Sequence, residues 1–247
     1  MILYKYVSQL GLKATIDNLT IRFTVPSFFN DPFDCMLSSG STPETSNLEN
    51  VLLSRHHRHR SGALCLTRNK FNILMWAHYA ENHKGAVIGF DTDIAELDCE
   101  SKNIITAKAG SVIYTSIRPS SYGSELPFEF NSKSDRSVLE KMFLHKSIHW
   151  AYEEEVRIVR VLHPELNEMT VIHNGMAHRD FTIPKTAIRE IYLGTRFGKS
   201  QENIALLHKI CDELTNVRFA KCYLDDREWK MKAIAISKLH IDHNLFF

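Results

Sequence analysis

Three consecutive glutamates near the middle of the chain, residues 153–155, are the side chains best suited to chemistry. They run directly into residues 156–159, whose β-branched side chains predict a strand. Because side chains on a strand alternate between its faces, Glu153, Glu155 and Arg157 are expected on one side. Neighbouring carboxylates repel one another unless a cation or hydroxyl lies opposite, so the pattern is suited to holding a polar ligand. The alternative is a solvated strand edge on which Glu155 pairs with Arg157.

The composition excludes several classes of protein. A net charge of +1 over 247 residues gives no sign of a strongly basic nucleic-acid surface. Five cysteines without a Cys-x-x-Cys pair predict neither a zinc knuckle nor a disulfide framework. No apolar run approaches the length of a membrane span, about 18 residues. We therefore expect a soluble, cytoplasmic protein, and an apolar fraction of 44% suffices for a single domain over residues 1–247.

The predicted strands outnumber the predicted helices and do not alternate with them regularly. This order favours an α+β fold with two packed, mostly antiparallel sheets and surrounding helices. Besides the glutamate strand, strands are predicted at 3–7, 21–25, 63–67, 86–90, 112–114, 181–183, 188–193, 218–224 and 230–236. Helices are predicted up to residue 18 and at 43–59, 71–80, 137–150 and 199–214. Frequent Ser, Pro, Gly and Asn at 118–135 predict a long, mobile surface loop.

A turn-rich segment at residues 27–34 follows the second predicted strand, where binding sites often form. Asn30 and Asp34 are candidate site residues there, and Asp31 precedes a proline that disfavours helical conformation. A metal-dependent hydrolase or nuclease is an alternative use of these acids. It needs four carboxylates to converge at about 2 to 2.6 Å from one ion. The four residues are Asp31, Asp34, Glu153 and Glu155.

Several short motifs resemble an uncharacterised family, domain-of-unknown-function family 2971. They extend in order from Leu3 to Gly194, and one of them contains the candidate His78. The matching segments are residues 3–6, 29–34, 75–80, 84–90, 150–157 and 183–194. The family name implies no activity.

The order of elements is also similar to that of ADP-ribosyltransferases, especially bacterial enzymes that modify nucleic acid. In those proteins a first strand contacts NAD, a strand-helix unit supplies a hydroxyl or aromatic residue, and a late strand supplies a Glu-x-Glu pair. The corresponding residues here are Lys5 with Tyr6, Thr67 with Tyr79, and Glu153 with Glu155. One departure is that the family has His or Arg in the first strand, where this chain has Lys5. Lysine can hold a phosphate but lacks the planar fork of arginine.

The resemblance implies that NAD is a substrate, whose bond between nicotinamide and ribose is broken for transfer or hydrolysis. Glu155 would stabilise the positive charge that develops on the ribose, and Glu153 would accept a proton. Arg157 would fix the carboxylates or meet a phosphate, and Tyr79 would stack on nicotinamide unless it is a core aromatic residue. The implied role is a bacterial toxin or anti-phage effector with an open choice of acceptor. The second hypothesis is a binding module that recognises a nucleotide without chemistry.

Overall fold

The computed structural model describes residues 1–38, 58–119, 133–162, 171–173 and 176–243. The predicted helix at 43–59 and most of the predicted loop at 118–135 therefore lie outside the described residues. Residues 133–135, which were expected to end that loop, begin a helix instead.

The described residues form strands β1 to β12 and helices α1 to α5, with short 3-10 helices between some of them. The strands are β1 (Ile2–Val7), β2 (Thr20–Thr24), β3 (Ser61–Thr67), β4 (Ala86–Asp91), β5 (Ile113–Thr115), β6 (His145–Ser147), β7 (Glu155–Val161), β8 (Val171–His173), β9 (Met176–Thr182), β10 (Ile188–Leu193), β11 (Arg218–Leu224) and β12 (Met231–Ala235). The helices are α1 (Gln9–Asn18), α2 (Ile73–Tyr79), α3 (Lys133–Leu144), α4 (Gln201–Glu213) and α5 (Lys238–Asp242).

The chain divides into two compact units, each built from separate stretches of sequence. Unit 1 comprises Met1–Ile21, Leu66–Glu96 and Thr182–Phe247. Unit 2 comprises Arg22–Cys65 and Leu97–Phe181. The expectation of a single domain over residues 1–247 stays a prediction.

Unit 1 contains a mixed sheet with the strand order β12-β11-β10-β4-β1. Neighbouring strands are antiparallel except β10 and β11, which run parallel and are connected through α4. Residues 86–90 of the central strand β4 are all buried, which agrees with their unbroken run of apolar residues and glycine. Polar side chains at Ser8, Asn72 and Ser200 cap the first turns of α1, α2 and α4 by accepting backbone N–H groups.

Unit 2 contains a second set of strands in the order β7-β3-β2-β9-β8, in which β3 contributes residues 61–65. A separate parallel pair is formed by β5 and β6. Helix α3 packs its apolar side over one end of this unit. The core there contains Cys35, Leu37, Ala63, Ile105, Val138, Leu139, Met142, Phe143, Leu144 and Val159.

A close backbone approach fixes the position of β7 in unit 2. The N–H of Arg157 donates to the carbonyl of Gly110 at 2.8 Å, and the N–H of Val112 donates to the carbonyl of Glu155 at 3.0 Å. A Cβ atom at Gly110 would lie 2.0 Å from the carbonyl oxygen of Arg157. Only glycine fits at this point, so residue 110 allows β7 to be paired along this edge.

The α+β class is confirmed, while the two packed sheets of the ADP-ribosyltransferase type stay a prediction. Two predicted elements have different boundaries in the structure. The helix expected over 137–150 ends at Leu144, where β6 and a 3-10 helix, Ile148–Glu153, follow. The glutamate strand begins only at Glu155, because Glu154 adopts a left-handed conformation with φ of 46°. No described helix has the length and apolarity needed to cross a membrane.

Candidate functional site

The guanidinium group of Arg157 is the centre of a buried group of charged side chains in unit 2. Arg157 has 0% of its surface exposed. Its Nε and Nη2 donate to the two oxygens of Glu155 at 2.7 and 3.0 Å. Its Nη1 and Nη2 each donate to one oxygen of Asp34 at 2.7 Å, and Nη1 also donates to the carbonyl of Phe143 at 2.8 Å. The planar fork of arginine thus binds two carboxylates at once.

A second cation, Lys146 on β6, lies close to both carboxylates and to that of Glu153. Its Nζ lies 2.5 Å from Glu153 Oε2, 3.0 Å from Glu155 Oε2 and 3.8 Å from Asp34 Oδ2. We refer to Asp34, Lys146, Glu153, Glu155 and Arg157 as the charge cluster. All five are buried, and they carry three negative and two positive formal charges. Pairing offsets the high cost of removing these charges from water.

The cluster keeps Glu155 ionised. Burial by itself raises the pKa of Glu155, but the charges of Arg157 and Lys146 outweigh it and hold that pKa well below its usual range. Burial lowers the pKa of Lys146, but the nearby carboxylates, Glu155 foremost, outweigh it and raise that pKa above its usual range. Glu155 is therefore a stabilised carboxylate and is poorly suited to act as a general acid.

Tyr114 on β5 holds the start of β7 beside the cluster. Its hydroxyl accepts the backbone N–H of Glu155 at 2.8 Å. Burial raises the pKa of Tyr114 to about 12, so the phenol stays neutral at physiological pH. Trp150 lies on another side, with its ring centre 5.1 Å from the Nζ of Lys146.

A cavity of about 210 Å³ lies next to the charge cluster, and Asp34 and Lys146 form part of its wall. The wall combines acidic, basic, hydroxyl and aromatic groups. Besides those two residues it includes Asp31, Phe33, Arg118 and Ser147. The guanidinium of Arg118 lies 5.7 Å from the centre of the Phe33 ring, so a cation and an aromatic face occur together. Such a wall is suited to a polar organic ligand.

Asp31 lines this cavity, and one of its two carboxylate oxygens accepts no hydrogen bond from the described residues. Its exposed fraction is 6%, and its Oδ1 accepts the N–H of Phe33 at 2.9 Å. Within the part of the chain that the structure describes, no protein group donates a hydrogen bond to Oδ2 of Asp31. Asp34, by contrast, has both oxygens bound to Arg157. Oδ2 of Asp31 is thus an acceptor that a ligand hydroxyl or amine can use.

Four of the residues expected from the sequence are brought together in the charge cluster: Asp34, Glu153, Glu155 and Arg157. Glu155 and Arg157 do share one face of β7 and are paired. Glu155 is only 4% exposed, however, so the alternative of a solvated strand edge is wrong, although its pair of Glu155 with Arg157 is present. Asn30, another candidate, is exposed on the turn before Asp31.

Two of the residues predicted to contact the cofactor, Tyr6 and Thr67, lie in unit 1 and bind the segment that leads into α2. The hydroxyl of Tyr6 donates to the carbonyl of Asn69 at 2.9 Å, and its ring packs edge-on against Trp76 at 5.4 Å between centres. The hydroxyl of Thr67 accepts the N–H of Asn69 at 3.0 Å. These contacts account for both side chains without a ligand.

The other predicted residues of unit 1 have less defined surroundings. Lys5 is half-buried on β1, opposite Ile88 of β4. Tyr79 is half-buried at the end of α2, with its ring centre 6.3 Å from that of the exposed His78. A cofactor-binding role for Lys5, Tyr6, Thr67, Tyr79 or His78 stays a prediction.

Sequence reasoning did not identify Lys146, which completes the charge cluster. It lies on a strand of only three residues, where no periodicity can be recognised, directly after a helix. Asp31 was considered only as a turn residue and as a metal ligand. Its place after a strand end, in an Asn-Asp-Pro turn, was the available signal for a binding site. Arg118 carries no local signal because it lies in a polar stretch between elements.

The metal alternative has no geometric support in the described residues. Among them no group of three or more His, Cys, Asp or Glu side chains is placed to hold a metal ion. Asp34 and Glu155 point at Arg157 and Lys146, which occupy the position that a cation would need.

Comparison with known proteins gives one match, which is to the model of a protein family. No curated protein and no solved structure matches the chain, so the resemblance to ADP-ribosyltransferases has no support from a relative. The match covers the expected family motifs at 75–80, 84–90 and 150–157, whereas those at 3–6, 29–34 and 183–194 lie outside it. Residues 75–158 match the model of a family described as a protein of unknown function, DUF2971.

Proposed function

We propose that the cavity of unit 2 binds a nucleotide through its ribose, and that this binding needs no chemistry at Glu155. The observation that carries the proposal is the carboxylate of Asp31, which is buried, lines the cavity and has an Oδ2 without a protein donor among the described residues. A carboxylate oxygen at a cavity wall is an acceptor that a ligand donor can use. A ribose hydroxyl supplies such a donor, and its hydrogen bond to a charged carboxylate is stronger than one to a neutral acceptor.

The size of the cavity selects which part of a nucleotide enters. Its volume of about 210 Å³ is below the range of about 300 to 1,000 Å³ that is usual for sites enclosing a whole drug-sized ligand. It therefore suits a sugar or a single ring. The remainder of a dinucleotide such as NAD would extend outside.

The charges around the cavity also favour a sugar or a cationic ring over a phosphate at its inner end. The charge cluster has one more carboxylate than cations, and Asp31 adds another carboxylate. A phosphate close to Asp34 would meet this negative field, whereas the positively charged nicotinamide ring of NAD would be attracted to it. Arg118 at the wall is the group suited to a phosphate outside.

Glu155 acts through Lys146 in this proposal and is a positioning residue. Both of its oxygens bind Arg157, and Oε2 also binds Lys146, so the cations of the chain itself engage both oxygens. Its contact with Lys146 keeps that ammonium at the wall of the cavity.

The test is calorimetric titration of the full chain with NAD and with ADP-ribose. We expect Asp31→Asn to weaken both affinities by about tenfold, since it converts an acceptor oxygen into a donor amide. Asp226→Asn is the matched control, because Asp226 is an exposed aspartate of unit 1. Unchanged binding in Asp31→Asn, or no binding to the unmodified chain, would contradict the proposal.

ADP-ribosyl transfer is the second candidate function, because one observation favours it. The carboxylates of Glu153 and Glu155 both lie within hydrogen-bond distance of Lys146 Nζ beside the cavity. In this reaction the bond from the ribose to nicotinamide breaks and its electron pair leaves with nicotinamide. An acceptor attacks the ribose carbon and gives its proton to Glu153, while Glu155 stabilises the cationic ribose.

Release of nicotinamide from NAD separates the two candidates. Transfer or hydrolysis predicts release by the unmodified chain and a loss of about 100-fold or more in Glu155→Gln. Glu154→Gln is the matched control, because the neighbouring Glu154 is exposed and outside the charge cluster. Binding of NAD without nicotinamide release would remove the transfer candidate and leave the binding module.

A further inference from the structure

Unit 1 has a cavity of its own, of about 340 Å³, that none of the candidate site residues uses. Its wall comes from four places in the chain. Ile73 lies at the start of α2, His83 precedes β4, and Thr195 and Arg196 follow β10. The fourth place is the end of β11 with the turn after it, which contributes Leu224 and Trp229. The volume falls within the usual range for small-molecule sites, about 300 to 1,000 Å³.

The turn between β11 and β12 is held in a defined conformation by Asp225. Its Oδ1 accepts the N–H groups of Arg227 and Glu228 at 2.9 Å each. Its own N–H donates to the carbonyl of Lys230 at 3.0 Å, and its carboxylate forms an ion pair with Lys232. These contacts fix the backbone on both sides of the residue between Glu228 and Lys230.

That residue is Trp229, whose exposed fraction is 96%. Within the described part of the chain its indole N–H has no acceptor and its ring has no aromatic partner. Ile73 and Leu224, which line the same cavity, are also exposed. Exposed aromatic and aliphatic side chains that border a concavity are typical of a binding surface.

Arg196 is the cation of this cavity whose charge is not offset. Lys230 lies 2.9 Å from the carboxylate of Glu228, and Asp225 is paired with Lys232. Burial, and then the nearby Arg196, lower the pKa of His83, so this histidine is neutral at pH 7. Among the described residues no carboxylate lies within ion-pair distance of Arg196. The cavity therefore combines one available guanidinium with one available indole.

We infer that this cavity binds a small aromatic anion, whose ring stacks on Trp229 and whose phosphate or carboxylate group binds the guanidinium of Arg196. Bidentate binding of either anion suits the planar fork of arginine. Indole is well suited to stacking on a planar ring. Because Asp225 and Glu228 are paired with lysines, Arg196 alone among the described residues of this wall supplies unpaired positive charge, so a ligand with one anionic group is expected. This site is independent of the function proposed for unit 2.

Calorimetric titration of the full chain with AMP and with benzoate tests the inference and distinguishes phosphate from carboxylate recognition. Adenosine is the matched neutral ligand for AMP, and we expect it to bind about tenfold more weakly, since it lacks the group that Arg196 holds. Arg196→Gln should remove this difference. Trp229→Ala should weaken the affinity for AMP by about tenfold. Trp229→Phe, which retains an aromatic face, should change this affinity only about threefold.

The variants also show where the probe binds. Asp31→Asn in unit 2 should leave AMP affinity at this site unchanged, and quenching of tryptophan fluorescence should disappear in Trp229→Phe. Absence of binding by both AMP and benzoate at millimolar concentration would overturn the inference. So would AMP binding that is lost in Asp31→Asn and kept in Trp229→Ala, or self-association of the chain that Trp229→Ala abolishes.

Discussion

Lys146 in unit 2 and Lys221 in unit 1 are buried to nearly the same extent, 9% and 8% exposed. Their surroundings nevertheless shift the pKa of the two lysines in opposite directions. Lys146 lies among three carboxylates, and their attraction raises its pKa despite burial. Lys221 on β11 has the carbonyl of Phe197 at 3.5 Å as its acceptor. Burial lowers the pKa of Lys221 to about 8, and the neighbouring Cys222 offsets little of this effect. Burial alone therefore does not determine whether a buried lysine stabilises the protein; its partners do.

Removal of Lys146 should have the largest effect on stability. Lys146→Met leaves three buried carboxylates with one cation, and we expect the free energy of unfolding at pH 7 to fall by about 3 to 5 kcal/mol. Urea denaturation measures the loss. Lys13→Met is the control, because Lys13 forms an exposed ion pair with Asp17 and should contribute about 1 kcal/mol or less. Equal effects of the two substitutions would show that the charge cluster does not stabilise unit 2.

Removal of Lys221 should act in the opposite direction. Its pKa of about 8, against an ordinary value of 10.5, corresponds to roughly 3 kcal/mol of unfavourable free energy while the lysine is charged in both states. Lys221→Met loses the hydrogen bond to Phe197, so we expect a net stabilisation of roughly 2 kcal/mol at pH 7. Lys84→Met, at an exposed lysine of the same unit, should change stability little.

The pH dependence gives a second measure of the same difference. Between about pH 8 and 10.5 the unfolded chain keeps a proton that folded Lys221 has lost. The free energy of unfolding should therefore gain a rising contribution with pH over this interval, and Lys221→Met should lack it. A stability profile over this range that is identical in the variant and the unmodified chain would contradict the assignment.

How much could be predicted from sequence differs between these two environments. Strands β10 and β11 have the boundaries expected at 188–193 and 218–224, because runs of β-branched and aromatic residues determine them locally. The charge cluster depends on contacts that are distant in sequence: Asp34 and Arg157 are 123 positions apart. No local pattern reveals that a lysine on a three-residue strand meets them. The glutamates themselves could be recognised, but their burial and partners could not.

A moderate effect is expected at the carboxylate that Lys146 and Arg157 share. Glu155→Gln keeps the shape and removes the charge, and we expect a loss of about 2 kcal/mol at pH 7. The pKa of Glu155 is lowered in the folded state, so its contribution is complete above its ordinary value of 4.5 and is lost as pH falls below it. The stability difference between the unmodified chain and the variant should therefore shrink in acid. A difference that stays constant from pH 7 to pH 3 would show that the loss comes from packing and not from charge.

The smallest effect is expected at Tyr114, which touches the charge cluster through a neutral hydrogen bond. Tyr114→Phe removes the acceptor for the backbone N–H of Glu155, and we expect a loss of about 1 kcal/mol at pH 7. Tyr223→Phe, at an exposed tyrosine of β11, is the control and should change stability little.

Because burial raises the pKa of Tyr114 to about 12, the unfolded chain loses this proton first as pH rises above 10. The contribution of Tyr114 should therefore decrease above pH 10, where that of Lys221 has almost reached its maximum. If Tyr114→Phe were as destabilising as Lys146→Met, the hydroxyl would have to support the geometry of the whole cluster, and the contrast between the two lysines could not be attributed to charge alone.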